Sequence, residues 1–508
     1  MEEEKEKLEK LNKDLRIVRD SFFDQINGME APVHIYTHLD ADGLSSGAIL
    51  GKTLYRENIP FQITILRQLE KKEIAKIVEM VKECSSFLLF SDFGSGQYLE
   101  LQKELRDNGN FKSFLILDHH IPQNVSGKQE IQKIKKIYEK TKEWQINPYF
   151  YDIDGSIEIS GAGICYYFAK CVKQENIDLS PIAIVGAIGD IQNKGLNKSF
   201  KGLNTLILED AIKSELIEVV DDLNFSTMKP LNEAIAYSSE IRLPGLSNDA
   251  NRSLLFLKTK GILMENSDGR IKTLEELNQD EKQKISSAII EYASIKLDLE
   301  PSKIIEKLIV NRYLLKKEAI GSKLHDAKEF SNLLNACGRT NNASLGIAIA
   351  MGDRTKIYQQ SEEALDSYRK SLVVSLSWIQ DNDKLIQKEA IQYFFGEDVI
   401  LENFVGTIAS MLIFENVKGV DNSKPIFGLA KRTDEEVYKV SGRASEYLVD
   451  RGVNLSEAIR KTCDLTGIDV LGGGHPPAAG TIVPVDKVEL FLKNCDKVIQ
   501  KQLQSKID

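Results

Sequence analysis

The sequence predicts an α/β chain built on a doubly wound parallel sheet, and three observations predict it. Short apolar runs, VHIY (33–36), FQITIL (61–66), FLLF (87–90) and FLIL (114–117), alternate with helical stretches such as KKEIAKIVEMVKE, the βα rhythm of a parallel sheet. Several of these runs end in an acid or a histidine, and in open parallel sheets the chemistry lies beyond the strands' carboxyl ends. At 508 residues the chain exceeds one ordinary core, so two to three domains are expected.

In chain order, residues 1–30 read as an N-terminal amphipathic helix, with Leu8, Leu11, Leu15, Val18 and Phe22 at helical spacing. Residues 31–200 form the parallel-sheet domain. From 201 to 335, charged segments such as TLEELNQDEKQKISSAIIEYASIKL have helical periodicity and few strand signals, which predicts a helical insertion; LPGLSNDA (243–250) reads as a loop. Residues 336–508 return to a smaller mixed α/β pattern. There SLGIAIAMGD (344–353), PIFGLAK (425–431) and VYKVSGR (437–443) read as strands, with helical stretches such as EEALDSYRK between them.

Composition narrows the class. With 42% hydrophobic and 28% charged residues, the chain has the balance of a soluble globular protein, and no apolar run reaches the 18 or so residues of a membrane span. The charged start MEEEKEKLEK is unlike a secretory signal, so a cytoplasmic location without membrane partners is expected. Six cysteines occur without a CxxC pair, which fits reduced thiols rather than disulfides or a zinc site. The net charge of −10 argues against non-specific adhesion to nucleic acid while leaving room for a local basic groove.

After VHIY the chain reads THLDADGLSSG (37–47), bringing His38, Asp40 and Asp42 close together. In an extended strand these alternate positions share a face, where three such groups repel unless a cation sits among them. A polar turn is the structural alternative, with Asp42-Gly43 turning and Ser45 or Ser46 capping a helix. Recurrence favours the cation. FLLF leads to Asp92, FLIL leads to Asp118-His119-His120, and IAIVGAIG (182–189) leads to Asp190, expected from a nearby helix or loop. Three of only six histidines belong to this set. Carboxylates mixed with imidazoles suit Mn²⁺, with Mg²⁺, Fe²⁺ and Zn²⁺ also compatible. So many ligands exceed the needs of one ion; two divalent ions about 3.5–4 Å apart would use them all, and phosphoester hydrolysis is the chemistry such a pair serves.

HLDADG, SDFG, LDHH and GAIGD, in this order, resemble the four motifs of the DHH phosphoesterase superfamily, and LGGGHPPAAG (471–480) resembles the signature of the DHHA1 domain that follows it. The helical insertion and DAKEFSNLLNACGR (326–339) make the chain most similar to archaeal RecJ-like exonucleases, which include the GINS-associated nuclease. The resemblance implies that His38, Asp40 and Asp92 hold one ion, that Asp42, His119 and Asp190 hold the other, and that Asp92 bridges them. It makes His120 a contact to the scissile phosphate and Asp118 the group that fixes the histidine pair. It also implies an active site in the cleft between the DHH and DHHA1 domains.

The glycines of the C-terminal signature, Gly472, Gly473 and Gly474, would let backbone N–H groups approach an anion, and His475 adds a donor or a stacking face. Lys439, Ser441 and Arg443 alternate along a strand, so they share a face, with Arg443 suited to bidentate phosphate binding. A Gly-rich turn is the structural alternative. The family resemblance implies that this domain holds a single-stranded DNA or RNA end. The expectation is therefore a Mn²⁺-dependent single-strand exonuclease of DNA replication or repair, 5′→3′ on DNA by likeness to RecJ, with 3′→5′ action on RNA or DNA still open. A nanoRNA or cyclic-dinucleotide phosphodiesterase is the second reading, and a replisome scaffold binding GINS is the third.

Overall fold

The computed structural model describes the chain apart from residues 1, 84–85, 107–113, 123–144, 239–240, 263–264, 267, 298, 415–418, 433–434, 469–472 and 505–508. Helix α1 (Glu2–Ile26) comes first and buries Leu11, Leu15, Val18 and Phe22, the stripe that a 3.6-residue repeat places on one side. Strands β1 (Val33–His38), β2 (Phe61–Leu66), β3 (Leu88–Ser91), β4 (Phe114–Leu117) and β5 (Gln145–Ile146) then form a sheet in the order β2-β1-β3-β4-β5. Every pairing in it is parallel. Strand order reverses between β1 and β3, the switch point at which such sheets open a crevice.

Both faces of the sheet are covered. On one, Tyr36, Phe90, Phe114 and Ile116 share a buried cluster with Ile74, Val78, Leu101 and Leu105, contributed by α3 (Lys71–Glu83) and α4 (Tyr98–Arg106). The other face takes α2 (Ala41–Arg56) and α5 (Gly161–Val172), which pack on each other and on α6 (Ser180–Gly189). α6 is buried from Ser180 to Ile188, which explains why its sequence, SPIAIVGAIG, is apolar all round. α7 (Gly202–Lys213) follows.

The region expected to be a helical insertion with few strand signals contains two paired strands. β6 (Ile217–Leu223) pairs antiparallel with β7 (Ile309–Leu315), with Val220 opposite Arg312. The helices α8 (Leu231–Ala236), α9 (Ala250–Thr259), α10 (Gln279–Leu297) and α11 (Pro301–Leu308) lie between them in sequence and enclose a core of their own around Leu257, Leu274, Ile285, Ile289 and Leu308. The insertion proper is thus framed by a two-stranded ribbon. Arg312, 7% exposed, ties its base: it donates to the carbonyls of Leu223 and Phe225 at 3.2 and 2.9 Å and pairs with Asp326 at 2.7 Å. Asp326 also caps the next helix, α12 (Ala327–Arg339), accepting from Lys328 and Glu329 N–H.

SLGIAIAMGD, read as a strand, is helix α13 (Ala343–Ala350). A short apolar run carries no period to separate a buried strand from a buried helix, and here small residues decide: a side chain at Gly346 would meet Leu44 of α2 at 2.8 Å.

The chain divides into two compact units, residues 1–365 and 366–508. The sequence boundary near 336 falls within α12, which packs on α6 in the first unit, and the division lies within α14 (Lys356–Asp381). The second unit holds β8 (Ile386–Gln387), β9 (Gln392–Phe395), α15 (Val405–Phe414), β10 (Ile426–Lys431), β11 (Val437–Arg443), α16 (Glu446–Asp450), α17 (Leu455–Thr466), β12 (Gly473–His475), β13 (Ala478–Pro484) and α18 (Val488–Gln504). Its sheet runs β12-β13-β11-β10-β9-β8 over a core that includes Phe394, Phe427, Val440 and Phe491.

Candidate metal centre

The acid and histidine side chains gather at the carboxyl ends of β1, β3 and β4, though not by strand alternation. β1 ends at His38 and the chain turns into α2; Asp40 is the helix N-cap, accepting from Gly43 N–H at 3.0 Å, and Asp42 lies in the first turn, fully buried. Neither Ser45 nor Ser46 is the cap. Asp92 leaves β3 at φ +61°, a left-handed conformation uncommon outside glycine. Asp118 and His119 leave β4, and Asp190 is the C-cap residue of α6.

Three overlapping groups result. His38, Asp40 and Asp92 form one; Asp42, His119 and Asp190 another; Asp92, His119 and His120 a third, with ligand atoms in each within 4.8 Å of one another. His38 Nδ1 lies 2.9 Å from Asp40 and 3.6 Å from Asp92. His119 Nε2 lies 3.1 Å from Asp92, 3.2 Å from Asp190 and 3.6 Å from Asp42. Asp92 is common to both sides, reaching His119 with Oδ1 and His38 with Oδ2.

Crowding sets the electrostatics. Burial, then the charges of Asp92 and Asp190, push Asp42 well above the usual carboxylate range. Burial also raises Asp190, against the opposing pull of His119. Burial alone would lower His38 and His119, but the surrounding carboxylates outweigh it and hold both well above the usual imidazole value. Without a cation Asp42, Asp190, His38 and His119 therefore keep protons that they would otherwise lose more readily. Both carboxylate oxygens of Asp92 and Nε2 of His119 are buried without a hydrogen-bond partner, a costly state that metal coordination removes. The donor set fits divalent ions: oxygen and imidazole, no thiolate.

Neighbours without metal-ligand chemistry hold these groups, and sequence reasoning missed them. His119 Nδ1 shares a hydrogen bond with Gly155 O at 2.6 Å, which selects the tautomer whose Nε2 is left for a metal. A side chain at Gly155 would collide with His119 O at 2.0 Å. Gln192 donates to the same Gly155 carbonyl at 2.9 Å. The first turn of α5 receives Asp42, whose carboxylate accepts from Gly161 and Ala162 N–H at 2.7 and 3.0 Å, the anion-favouring end of a helix. Asn335 of α12 accepts from Ala41 N–H at 3.1 Å, at the turn between Asp40 and Asp42. Asp118 accepts from Ser95 N–H and from the backbone N–H of His120, and it pairs with His120 Nδ1 at 2.9 Å. His120 keeps its side chain half exposed.

In the second unit, Ser441 and Arg443 share a face of β11, and Gly480 of β13 lies in register between Ser441 and Gly473. Arg443 Nε donates to Ser410 Oγ of α15 at 2.9 Å. Gly406 lies against them: a side chain there would meet the Arg443 guanidinium at 2.8 Å and Ser441 Oγ at 3.4 Å. Gly474 has φ +138° and His475 is exposed; Gly472 lies outside the described residues.

Family models match the chain twice, as a DHH-CID domain over residues 226–309 and as a DHHA1 domain over residues 403–501. An uncharacterized protein of Methanocaldococcus jannaschii is 32% identical over 500 residues, covering 98% of this chain and 99% of its own. The chain belongs to the DHH/DHHA1 superfamily. Among solved structures it is similar in fold to CDC45 from Entamoeba histolytica, with TM-score 0.60, 13% identity and coverage of 95% of this chain and 99% of that one. It is also similar to RecJ in complex with Mn²⁺ from Thermus thermophilus, with TM-score 0.56, 15% identity and coverage of 96% of this chain. The match spans 55% of that RecJ chain. This DHH/DHHA1 protein has a parallel sheet and acid and histidine groups that could hold a metal ion. Among its described residues, no helix is long and apolar enough to cross a membrane.

Proposed function

We propose that the protein is a Mn²⁺-dependent, single-strand-specific exonuclease, acting 5′→3′ on DNA in replication or repair. The observation that carries this reading is the shared Asp92, whose two buried oxygens face His119 on one side and His38 on the other with no hydrogen bond to satisfy either. His38, Asp40 and Asp92 would hold one ion; Asp42, His119 and Asp190 would hold its neighbour. Such a pair supplies a nucleophile from water at neutral pH and offsets charge on the phosphate.

The chain's own residues do the rest. Asp118, fixed by Ser95 N–H, orients the His120 ring through Nδ1, so that Nε2 serves as a donor to the scissile phosphate. Gly155 and Gln192 hold His119. In the second unit Arg443, Ser441 and the backbone of Gly473, Gly474 and His475 take the phosphates of the strand, where charge and stacking rather than base edges give affinity. The resemblance to the GINS-associated nuclease leaves a second role beside the first, as a protein partner of GINS.

The test is incubation with Mn²⁺ and single-stranded DNA and RNA labelled at either end, beside an Asp92→Ala variant. Stepwise shortening by the wild type and a loss of about 10³-fold or more in the variant are expected. The label released first as a mononucleotide reports polarity. Intact polymers in the presence of bound Mn²⁺ would sink the reading and turn attention to dinucleotides.

A further inference from the structure

The residue after Asp190 breaks a local rule. Ile191 adopts φ +54°, the left-handed region in which a β-branched side chain is strained. It stands just past the C-cap of α6: Ile191 N–H donates to Ile188 O and Gln192 N–H to Ala187 O, both at 2.9 Å. These are the paired bonds of a Schellman helix end, and the position Ile191 fills is the one that favours glycine. Packing returns nothing for the strain, because Ile191 is 61% exposed. Gln192, by contrast, is fully buried and bonded to Gly155 and Asn204, so the turn is pinned on one side and presents isoleucine on the other. Asp190, one residue back, lies 3.2 Å from His119. A strained residue retained beside a reactive cluster points to function.

We propose that Ile191 is a substrate-positioning residue, an apolar rest for the base of the nucleotide whose phosphate lies at the acid and histidine cluster. This rests on the nuclease reading above and adds to it a contact that tolerates any base, since every base has an apolar face. Exposed Lys194 and Leu196, the latter 73% exposed, follow in the same loop.

The strain makes the test two-sided. Ile191→Gly and Ile191→Asn suit the left-handed backbone, whereas Ile191→Leu keeps an apolar side chain. Thermal unfolding, Mn²⁺ affinity by calorimetry and steady-state cleavage of a single-stranded oligonucleotide are measured on all of them. The Gly and Asn variants are expected to unfold about 1–2 °C higher, yet to show KM about five-fold or more above wild type, the factor that one or two buried methylenes contribute. The loss should fall on KM more than on kcat, and Ile191→Leu should restore it. Unchanged KM in the Gly variant overturns the proposal, as does a Mn²⁺ affinity that falls in step with KM, because the side chain would then act only by holding Asp190. A wild type that cleaves no oligonucleotide defeats the nuclease reading and this inference together. An active wild type with an indifferent Gly variant defeats this inference alone.

Discussion

Asn335 illustrates how much of the centre depends on residues that carry no chemistry. Its Oδ1 takes the Ala41 N–H, one of the donors that the first turn of a helix leaves unpaired, and so fixes the turn from which Asp40 and Asp42 project. Asn335→Ala is expected to weaken Mn²⁺ binding about ten-fold, the scale of a lost supporting contact, with the far-ultraviolet circular dichroism of wild type. Calorimetry checks it, and unaltered affinity would mean that the turn holds itself. That His38, Asp92, His119 and Asp190 gather was legible because ligand-type residues recur where apolar runs end. Asn335 was not, being 294 residues from the turn it supports, and nothing local marks such a residue. Gly155 and Gln192 escaped for the same reason: they act on His119 from 36 and 73 residues away.

At the scale of elements, β1 contains a pH-sensitive group apart from the candidate metal ligands. His34 is buried against Tyr36, ring centroids 4.4 Å apart, and meets Thr64 Oγ1 at 2.8 Å. Burial lowers its pKa to about 4 from the ordinary 6.5. The unfolded chain therefore binds a proton more readily than the fold does, so His34 costs nothing above pH 6.5 and destabilises progressively as pH falls from 6.5 toward 4. The full loss is roughly 3 kcal/mol. Urea unfolding of wild type and His34→Gln at pH 7 and pH 4.5 should show a smaller loss on acidification in the variant; equal losses would mean that His34 does not titrate in this range. β1 itself was legible from VHIY, as were β10 and β11 from PIFGLAK and VYKVSGR. β6 and β7 were not. Their sequences, IEVVDDL and IVNRYLL, flank a helical segment whose charged periodicity dominates the window, and they pair across 85 residues of insertion, from Leu223 to Ile309. α13 was misread because a buried helix and a buried strand present the same apolar run.

In the molecule as a whole, the candidate metal ligands and the second core lie in different compact units. His38 through Asp190 belong to residues 1–365, while the cluster around Phe394, Phe427 and Phe491 belongs to residues 366–508. Each unit has a buried core of its own, so two calorimetric transitions are expected. Metal binding stabilises only the unit that contains the ligands, by RT ln(1 + [L]/Kd), or about 2.7 kcal/mol at a hundred-fold excess over Kd. For a unit of 365 residues this corresponds to a rise of about 3 °C in its transition. The gain includes relief of the burial and like-charge crowding that raise Asp42 and Asp190, so it should grow as pH rises and protons compete less for the ligands. Scanning calorimetry of the full chain with Mn²⁺ or with a chelator should move one transition and leave the other in place. Asp92→Asn should abolish the shift, since it weakens the carboxylate shared by both ligand groups. Two transitions rising together with Mn²⁺ would mean that the units unfold as one, and a wild-type shift that survives in Asp92→Asn would remove Asp92 from the metal centre.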